Sequence, residues 1–187
     1  MAIDTCDVLT GARKLTGDVL VYDDHGGHQA LDAIESLTRT ARSIEYATPE
    51  RSVAPDVGGS PATGYFALMA EHDVRTTVLQ RLVGIERRDG RLIARLKTDG
   101  SIAVREKVCD AVVIEHGTQP DPELYEALRP QSTNLGQIAI RELLARRPQP
   151  ATANPDGSFA LYRIGDAVAG RDIPAAVLDA LRLCSAI

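Results

Sequence analysis

Asp18-Val-Leu-Val-Tyr-Asp-Asp-His-Gly-Gly-His-Gln-Ala-Leu-Asp-Ala-Ile-Glu35 is the stretch whose reading decides the fold. Val19–Tyr22 is a short apolar run rich in β-branched residues, the composition of a strand buried on both faces. Asp23–His28 is polar and glycine-containing, as in a tight turn. From Gln29 to Ala41 the apolar residues Ala30, Leu31, Ala33, Ile34 and Leu37 recur at helical spacing. Ser43–Ala47 is a second short strand. Strand, helix and strand within about thirty residues make a βαβ unit, which implies a right-handed crossover and a parallel sheet.

On the C-terminal side, Thr48–Gly64 contains Pro49, Pro55, Pro61 and three glycines and reads as a long loop of the functional or interface kind. Tyr65–His72 predicts a short helix and Val74–Leu79 a third strand. The pattern then changes. Leu82–Arg87, Leu92–Thr98 and Ile102–Val108 alternate apolar and polar residues, with hairpin signals at Asp89-Gly90 and Asp99-Gly100. This predicts an antiparallel meander inserted in an α/β frame. Ala111–Glu115 returns to the parallel sheet and ends at His116-Gly117. Residues 1–17 show no period and read as a connector or interface segment. After Gly117, helices are predicted at Glu123–Leu128 and Ile138–Arg146. A strand follows at Phe159–Ile164, and a last helix at Pro174–Leu183 with Asp172 as N-cap and Pro174 in the first turn.

Composition sets limits on function. The chain has 187 residues, 44% of them hydrophobic and 25% charged, so it can bury a sizeable core. The net charge of −5 has no basic concentration, which argues against nucleic acid as a partner. Cys6, Cys109 and Cys184 are widely spaced with no CxxC pair, so no local zinc or iron–sulfur motif is encoded. Reduced thiols, no leader-like start and no membrane-length apolar run predict a cytoplasmic protein with no membrane partner.

The turn after Val19–Tyr22 has the position of a dinucleotide loop but not its residues. The three glycine places of G-x-G-x-x-G fall on Asp23, His25 and His28. Asp23 and Asp24 place negative charge where a pyrophosphate would lie. Glu45 lies inside the second strand rather than at its end, so the ribose-binding acid is also missing. The Asp-Asp-His-x-x-His cluster has metal-ligand residue types but guarantees no third converging ligand, so no metal site is assigned. Cys109 reads as core, and no nucleophile elbow is present. Arg163-Ile-Gly-Asp-Ala167 suits a cofactor edge better: Gly165 permits close approach, the Asp166 carboxylate accepts from sugar or polyol hydroxyls, and the helix start at Ile173-Pro174 can face phosphate.

The motifs Leu-Val-Tyr-Asp-Asp-His-Gly-Gly-His and Ala-Thr-Pro-Glu-Arg-Ser-Val-Ala-Pro-Asp-Val-Gly within and around Val19–Asp56 carry a resemblance. With Val112–Gly117 and Phe159–Leu183, they resemble the C-terminal region of the trimethylamine dehydrogenase-like branch of the old yellow enzyme family. That branch includes demethylases of N-methylated amino acids and betaines and the dienoyl-CoA reductases. The resemblance implies a Rossmann-like parallel sheet with an inserted antiparallel β-meander, plus an incomplete FAD-like C-terminal part. The domains are then a segment 1–17, a pseudo-NAD(P)-binding domain 18–118 and the last part of an FAD/ADP-binding-like domain 119–187. Gly165, Asp166, Ala167, Ile173 and Pro174 fall at the family's flavin- or ADP-contacting edge, and Gly117 at the crossover.

The resemblance further implies a larger partner carrying an FMN-bearing TIM barrel and a 4Fe-4S cluster, in a hetero-oligomer. The chain would be a non-catalytic small subunit, or a C-terminal part, completing an FAD or ADP pocket shared with that partner. The reaction class would be oxidative N-demethylation of a small methylated amine or betaine. Two alternatives stand beside it: a free-standing ligand- or metal-binding regulatory module using Asp23–His28, and an NAD(P)H-binding reductase component.

Overall fold

The structure is a computed structural model that describes residues 1–150 and 153–185. The chain divides into two compact units, Met1–Gly117 and Thr118–Ile187.

In the first unit, β1 (Ala2–Asp4), α1 (Thr5–Leu9), β2 (Gly17–Asp23), α2 (His28–Leu37), β3 (Ala41–Ala47), α3 (Gly59–Glu71) and β4 (Arg75–Thr77) precede the meander. The meander is β5 (Arg81–Arg88), β6 (Arg91–Lys97) and β7 (Val104–Cys109), and β8 (Ala111–Glu115) follows it. Five strands form a parallel sheet in the order β1-β8-β2-β3-β4, and β5-β6-β7 form a separate antiparallel sheet. The expected α/β frame with its inserted meander is therefore present.

The reason lies in the two faces of β2. Val19 and Val21 pack with Ala30, Leu31, Ile34 and Leu37 of α2. Leu20 and Tyr22 face the other way, onto Leu92, Ala94, Leu96 and Cys109 of the meander. Both faces are covered, which is why the strand is an unbroken apolar run. Each such burial stabilises by about 1.5–3 kcal/mol. Arg88 pairs with Arg91 across Asp89-Gly90, whose φ values of 50° and 81° suit a two-residue hairpin. Lys97 pairs with Val104, so Asp99-Gly100 lies in a longer connection than its dipeptide suggests.

Residues 1–17 depart from expectation. Instead of a connector they hold β1, paired in parallel with β8 (Ala2 opposite Val112), and α1. A three-residue strand and a five-residue helix are too short to display a period. Residues 48–64 also differ, because α3 begins at Gly59 and includes Pro61 and Gly64. Pro61 sits in the first turn, where its missing N–H costs nothing. Packing of Ala62, Tyr65, Leu68 and Met69 on the core offsets the glycine cost of about 1 kcal/mol each.

Asp18, Arg42, Arg91 and Asp110 close the N-terminal end of the sheet. Arg42 Nη2 and Arg91 Nη2 lie 2.6 and 2.7 Å from Asp18 Oδ2, and Arg91 Nε lies 3.0 Å from Asp110 Oδ1. The cluster ties the meander to the parallel sheet.

The second unit contains α4 (Glu123–Leu128), α5 (Ile140–Leu144) and α6 (Ile173–Cys184), with 3₁₀ turns at Arg129–Gln131 and Gly165–Ala167. The expected strand Phe159–Ile164 is not formed. One parallel bridge, Ser132 with Phe159, is all that appears among the described residues. A strand needs a neighbour along its length, and this segment has one only at its start. Leu183 is the one buried hydrophobic side chain of this unit among the described residues, while Leu124, Leu144 and Ile173 are 73%, 79% and 81% exposed.

Candidate functional site

The chain leaves β2 toward β3 on one side, and β8 lies on the other. The crevice beyond the C-terminal ends of β2 and β8 is therefore the switch point at which open α/β sheets hold ligands. Its walls are Asp23–His28 and Glu115–Gly117.

Asp23 is fully buried. Its Oδ1 accepts from the backbone N–H groups of His25 (2.9 Å) and Gly26 (2.8 Å), and its Oδ2 accepts from the Tyr46 hydroxyl at 2.8 Å. Backbone donors of a strand-to-helix turn are the groups that cradle phosphate in a dinucleotide loop. Here the chain's own carboxylate occupies them. Burial, and next the neighbouring Asp23 charge, push the Tyr46 phenol far above its ordinary value, so it remains a donor. The His25 imidazole lies beside the backbone of Gly117: a Cβ there would stand 2.7 Å from His25 Nδ1, and Gly117 has φ +72°. The crevice is thus filled by a carboxylate and a planar ring of the protein itself.

Several other polar groups of this edge are engaged with one another, although the buried Gln29 Oε1 has no hydrogen-bond partner among the described residues. Thr5 Oγ1 donates to Glu115, and Glu115 Oε1 accepts from Gly117 N at 2.7 Å. His116 Nδ1 is 2.6 Å from Asp24 Oδ1. His28 Nδ1 is 3.3 Å from the Tyr65 hydroxyl, which donates to Asp32. Burial and the Asp32 hydrogen bond push the Tyr65 phenol up to about 12. His25 and His28 therefore diverge, and among the described residues no three His, Cys, Asp or Glu side chains are grouped to hold a metal.

Glu45 is committed elsewhere. It is 1% exposed inside β3, with Arg105 Nη2 at 2.6 Å, Lys107 Nζ at 3.0 Å and Thr77 Oγ1 at 2.9 Å. Burial raises its pKa, but Arg105, Lys107 and Thr77 outweigh that and hold it below the usual carboxylate range. It anchors the meander. Cys109 is fully buried in the core beneath the meander, and burial pushes its thiol up, away from reactivity.

In the second unit, Gly165, Asp166, Ala167, Ile173 and Pro174 fall in one continuous turn-and-helix segment. Gly165 is buried with φ +57°, and an added Cβ would meet the Ala176 Cβ at 3.0 Å. Its N–H donates to Asp179 Oδ2 at 3.2 Å, and Asp179 is also paired with Arg171. Asp166 and Ala167 are exposed, and among the described residues the Asp166 carboxylate accepts one 3.4 Å bond, from Arg171 N. Asp172 caps α6, accepting from Ala175 N at 2.7 Å with its side chain and from Ala176 N at 3.1 Å with its carbonyl. Pro174 has no N–H, so Ile173 carries the one first-turn donor left for a ligand. The helix start is a poorer phosphate site than its sequence suggests. Gly117 ends the first unit and is packed against His25.

The inward role of Asp23 was missed by residue type, although one signal for it exists. Strand alternation places Asp23 on the face of Val19 and Val21, the face covered by α2.

The fold defines a Rossmann-like α/β region of the kind found in oxidoreductases. A 6-hydroxypseudooxynicotine amine oxidase from Pseudomonas geniculata superposes with a TM-score of 0.70 over 98% of this chain and 24% of its own, at 20% identity. The Rhizobium meliloti protein named "Probable N-methylproline demethylase" is 40% identical over 183 residues, 98% of this chain. An N,N-dimethylglycine/sarcosine dehydrogenase of Chromohalobacter salexigens is 35% identical over 188 residues, also 98% of this chain. The chain spans 27% of the length of these two relatives. No protein-family model matches it. The chain is similar to the C-terminal part of relatives and solved structures of the trimethylamine dehydrogenase-like and old yellow enzyme kind. Among the described residues, no helix is long and apolar enough to cross a membrane.

Proposed function

We propose that this chain is the C-terminal part, or a small subunit, of a flavin- and iron–sulfur-dependent oxidoreductase that oxidatively demethylates a small methylated amine or betaine. The observation that supports this reading is the unfinished state of Thr118–Ile187. A unit of this length with Leu183 as its one buried hydrophobic side chain among the described residues cannot offset its own ordering entropy. It needs a surface supplied from outside, and relatives more than three times as long contain further chain to supply one.

In this reading Met1–Gly117 is a pseudo-NAD domain, closed to nucleotide by Asp23 and His25. Gly165, Asp166, Ala167, Ile173 and Pro174 form half of an FAD or ADP pocket, with Gly117 at the crossover, and a larger partner provides the other half. The residues fit that role in part. Asp166 presents a nearly unengaged carboxylate for ribose or ribityl hydroxyls, and Gly165 holds the left-handed turn that exposes it. A bound flavin supplies a two-electron acceptor. The chain's own residues hold and orient it, and none performs chemistry on the amine. FMN and the 4Fe-4S cluster belong to the partner, with the substrate pocket.

The test is co-purification. The expected result is a complex with a larger, yellow subunit whose flavin content falls when Asp166→Ala is introduced. A stable, flavin-free monomer that never associates with such a subunit would overturn the reading.

A further inference from the structure

The segments that leave β3 and β4 are tied together beyond the sheet. Thr48 N donates to Thr77 O at 3.1 Å, Gln80 N to Thr48 O at 2.8 Å and Leu79 N to Glu50 O at 2.9 Å. These bonds hold Leu79 at φ +57°. A left-handed backbone costs a residue with a Cβ about 1–2 kcal/mol, and such strain persists only where the surroundings over-determine it. The meander is fastened at the same place. The Gln80 side-chain amide donates to Thr98 Oγ1 and to Leu79 O, and Arg81 grips Asp99 with Nε at 3.1 Å and Nη2 at 2.9 Å.

Between the β3 exit, the β4–β5 connection and the β6–β7 connection lies an open cavity of 240 Å³. It is separate from the β2–β8 crevice, since neither Asp23–His28 nor Glu115–Gly117 lines it. Pro49 and Leu79 give it apolar surface. Leu79 is 46% exposed, so core packing does not account for its strained position. The charged residues along the wall have both signs. Arg81 and Asp99 neutralise one another. Glu50 and Arg51 also line the cavity, but among the described residues neither the Glu50 carboxylate nor the Arg51 guanidinium has a hydrogen bond or an ion pair.

We infer that this cavity binds a small zwitterion of the amino-acid class, its carboxylate on Arg51, its ammonium on Glu50 and its hydrocarbon part against Pro49 and Leu79. A guanidinium presents a fork of donors that matches a carboxylate, and a carboxylate accepts from an ammonium. A ligand of one sign is attracted by one of these neighbours and repelled by the other, whereas a zwitterion is attracted by both. The volume lies below the range of about 300–1,000 Å³ usual for drug-sized ligands, which suits a molecule of a few carbons. The inference concerns Met1–Gly117 alone and stands apart from the flavin reading.

The test is titration of the isotopically labelled full-length chain with L-proline, followed through the amide shifts in NMR spectra. Pyrrolidinium and cyclopentanecarboxylate, each with one charge of proline, are the comparison probes. Proline should give saturable shifts at Glu50, Leu79 and Thr98 and none at His25–Gln29, and each single-charge probe should bind at least tenfold more weakly. Arg51→Met and, separately, Glu50→Gln should each weaken proline binding tenfold or more. Both residues are exposed, so the dichroism of each variant should match the parent chain. Arg39→Met, at an exposed position beyond α2, should leave binding unchanged.

Absence of saturable shifts overturns the site, as do shifts of parent strength in both variants. Cyclopentanecarboxylate bound as tightly as proline overturns the zwitterion class. A chain that binds proline yet never associates with a flavin-bearing subunit leaves this inference standing and sinks the flavin-pocket reading. A flavin-bearing complex whose chain ignores proline does the reverse.

Discussion

Asp23 and Asp18 sit at opposite ends of β2 and do different work. Asp23 is an internal anion: fully buried, it satisfies two turn amides and the Tyr46 hydroxyl. Asp23→Ala leaves those three donors without an acceptor, and the chain should lose about 2–4 kcal/mol, read as a lower urea midpoint with an unchanged slope. Asp18 is held far below the usual carboxylate range, first by its Arg42 hydrogen bond and then by Ser43 and Arg91. Its folded pKa lies below the unfolded value of about 4. Its contribution is therefore complete above that value and is lost as pH falls through and below it. Urea midpoints measured from pH 6 down to 2.5 should fall for the parent chain. They should fall less steeply for Asp18→Asn, which starts from lower stability at pH 6.

Elements with a full set of partners behave as their local patterns suggest, and elements lacking partners do not. β2, α2, β3 and β8 follow their periodicity because each is covered within the first unit. Phe159–Ile164 has strand composition but lies beside only three or four residues, so side-chain bonds from Asn134 replace a ladder. α6 forms in spite of its exposed apolar face because its ends are well made: Asp172 caps it, Pro174 sits in the first turn, and Arg182 lies in the last. Asp172→Ala should cost about 1 kcal/mol of local helix stability. Faster exchange of the Ala175 and Ala176 amides should report it, with no change in exchange at β2.

For the whole molecule, the two units differ in how much apolar surface they bury. Met1–Gly117 has cores on both faces of its sheet, whereas Thr118–Ile187 has one buried hydrophobic side chain among the described residues. Opening free energies vary with such differences. Limited proteolysis of the chain alone should first cut beyond Gly117 and leave a resistant fragment close to Met1–Gly117. Addition of the partner should protect the C-terminal cuts. Cuts appearing first within β2, α2 or β8 would contradict this ranking.

The sequence by itself determined the parallel sheet, the inserted meander, the β8 return and the end helix, because strand and helix periods and Asp-Gly turns act over a few residues. It also argued against an ordinary phosphate loop, from Asp23, His25 and His28 standing where glycines are needed. The tertiary structure alone decided the rest. β1 exists because β8, more than a hundred residues away, offers it an edge. Asp23 points inward because Tyr46 and the turn amides meet there, and Phe159–Ile164 stops short of a strand because among the described residues it has one bridge, Ser132 with Phe159, and no neighbouring strand. Each of these outcomes depends on a contact with a distant part of the chain, or on the lack of one, and no local pattern records such contacts.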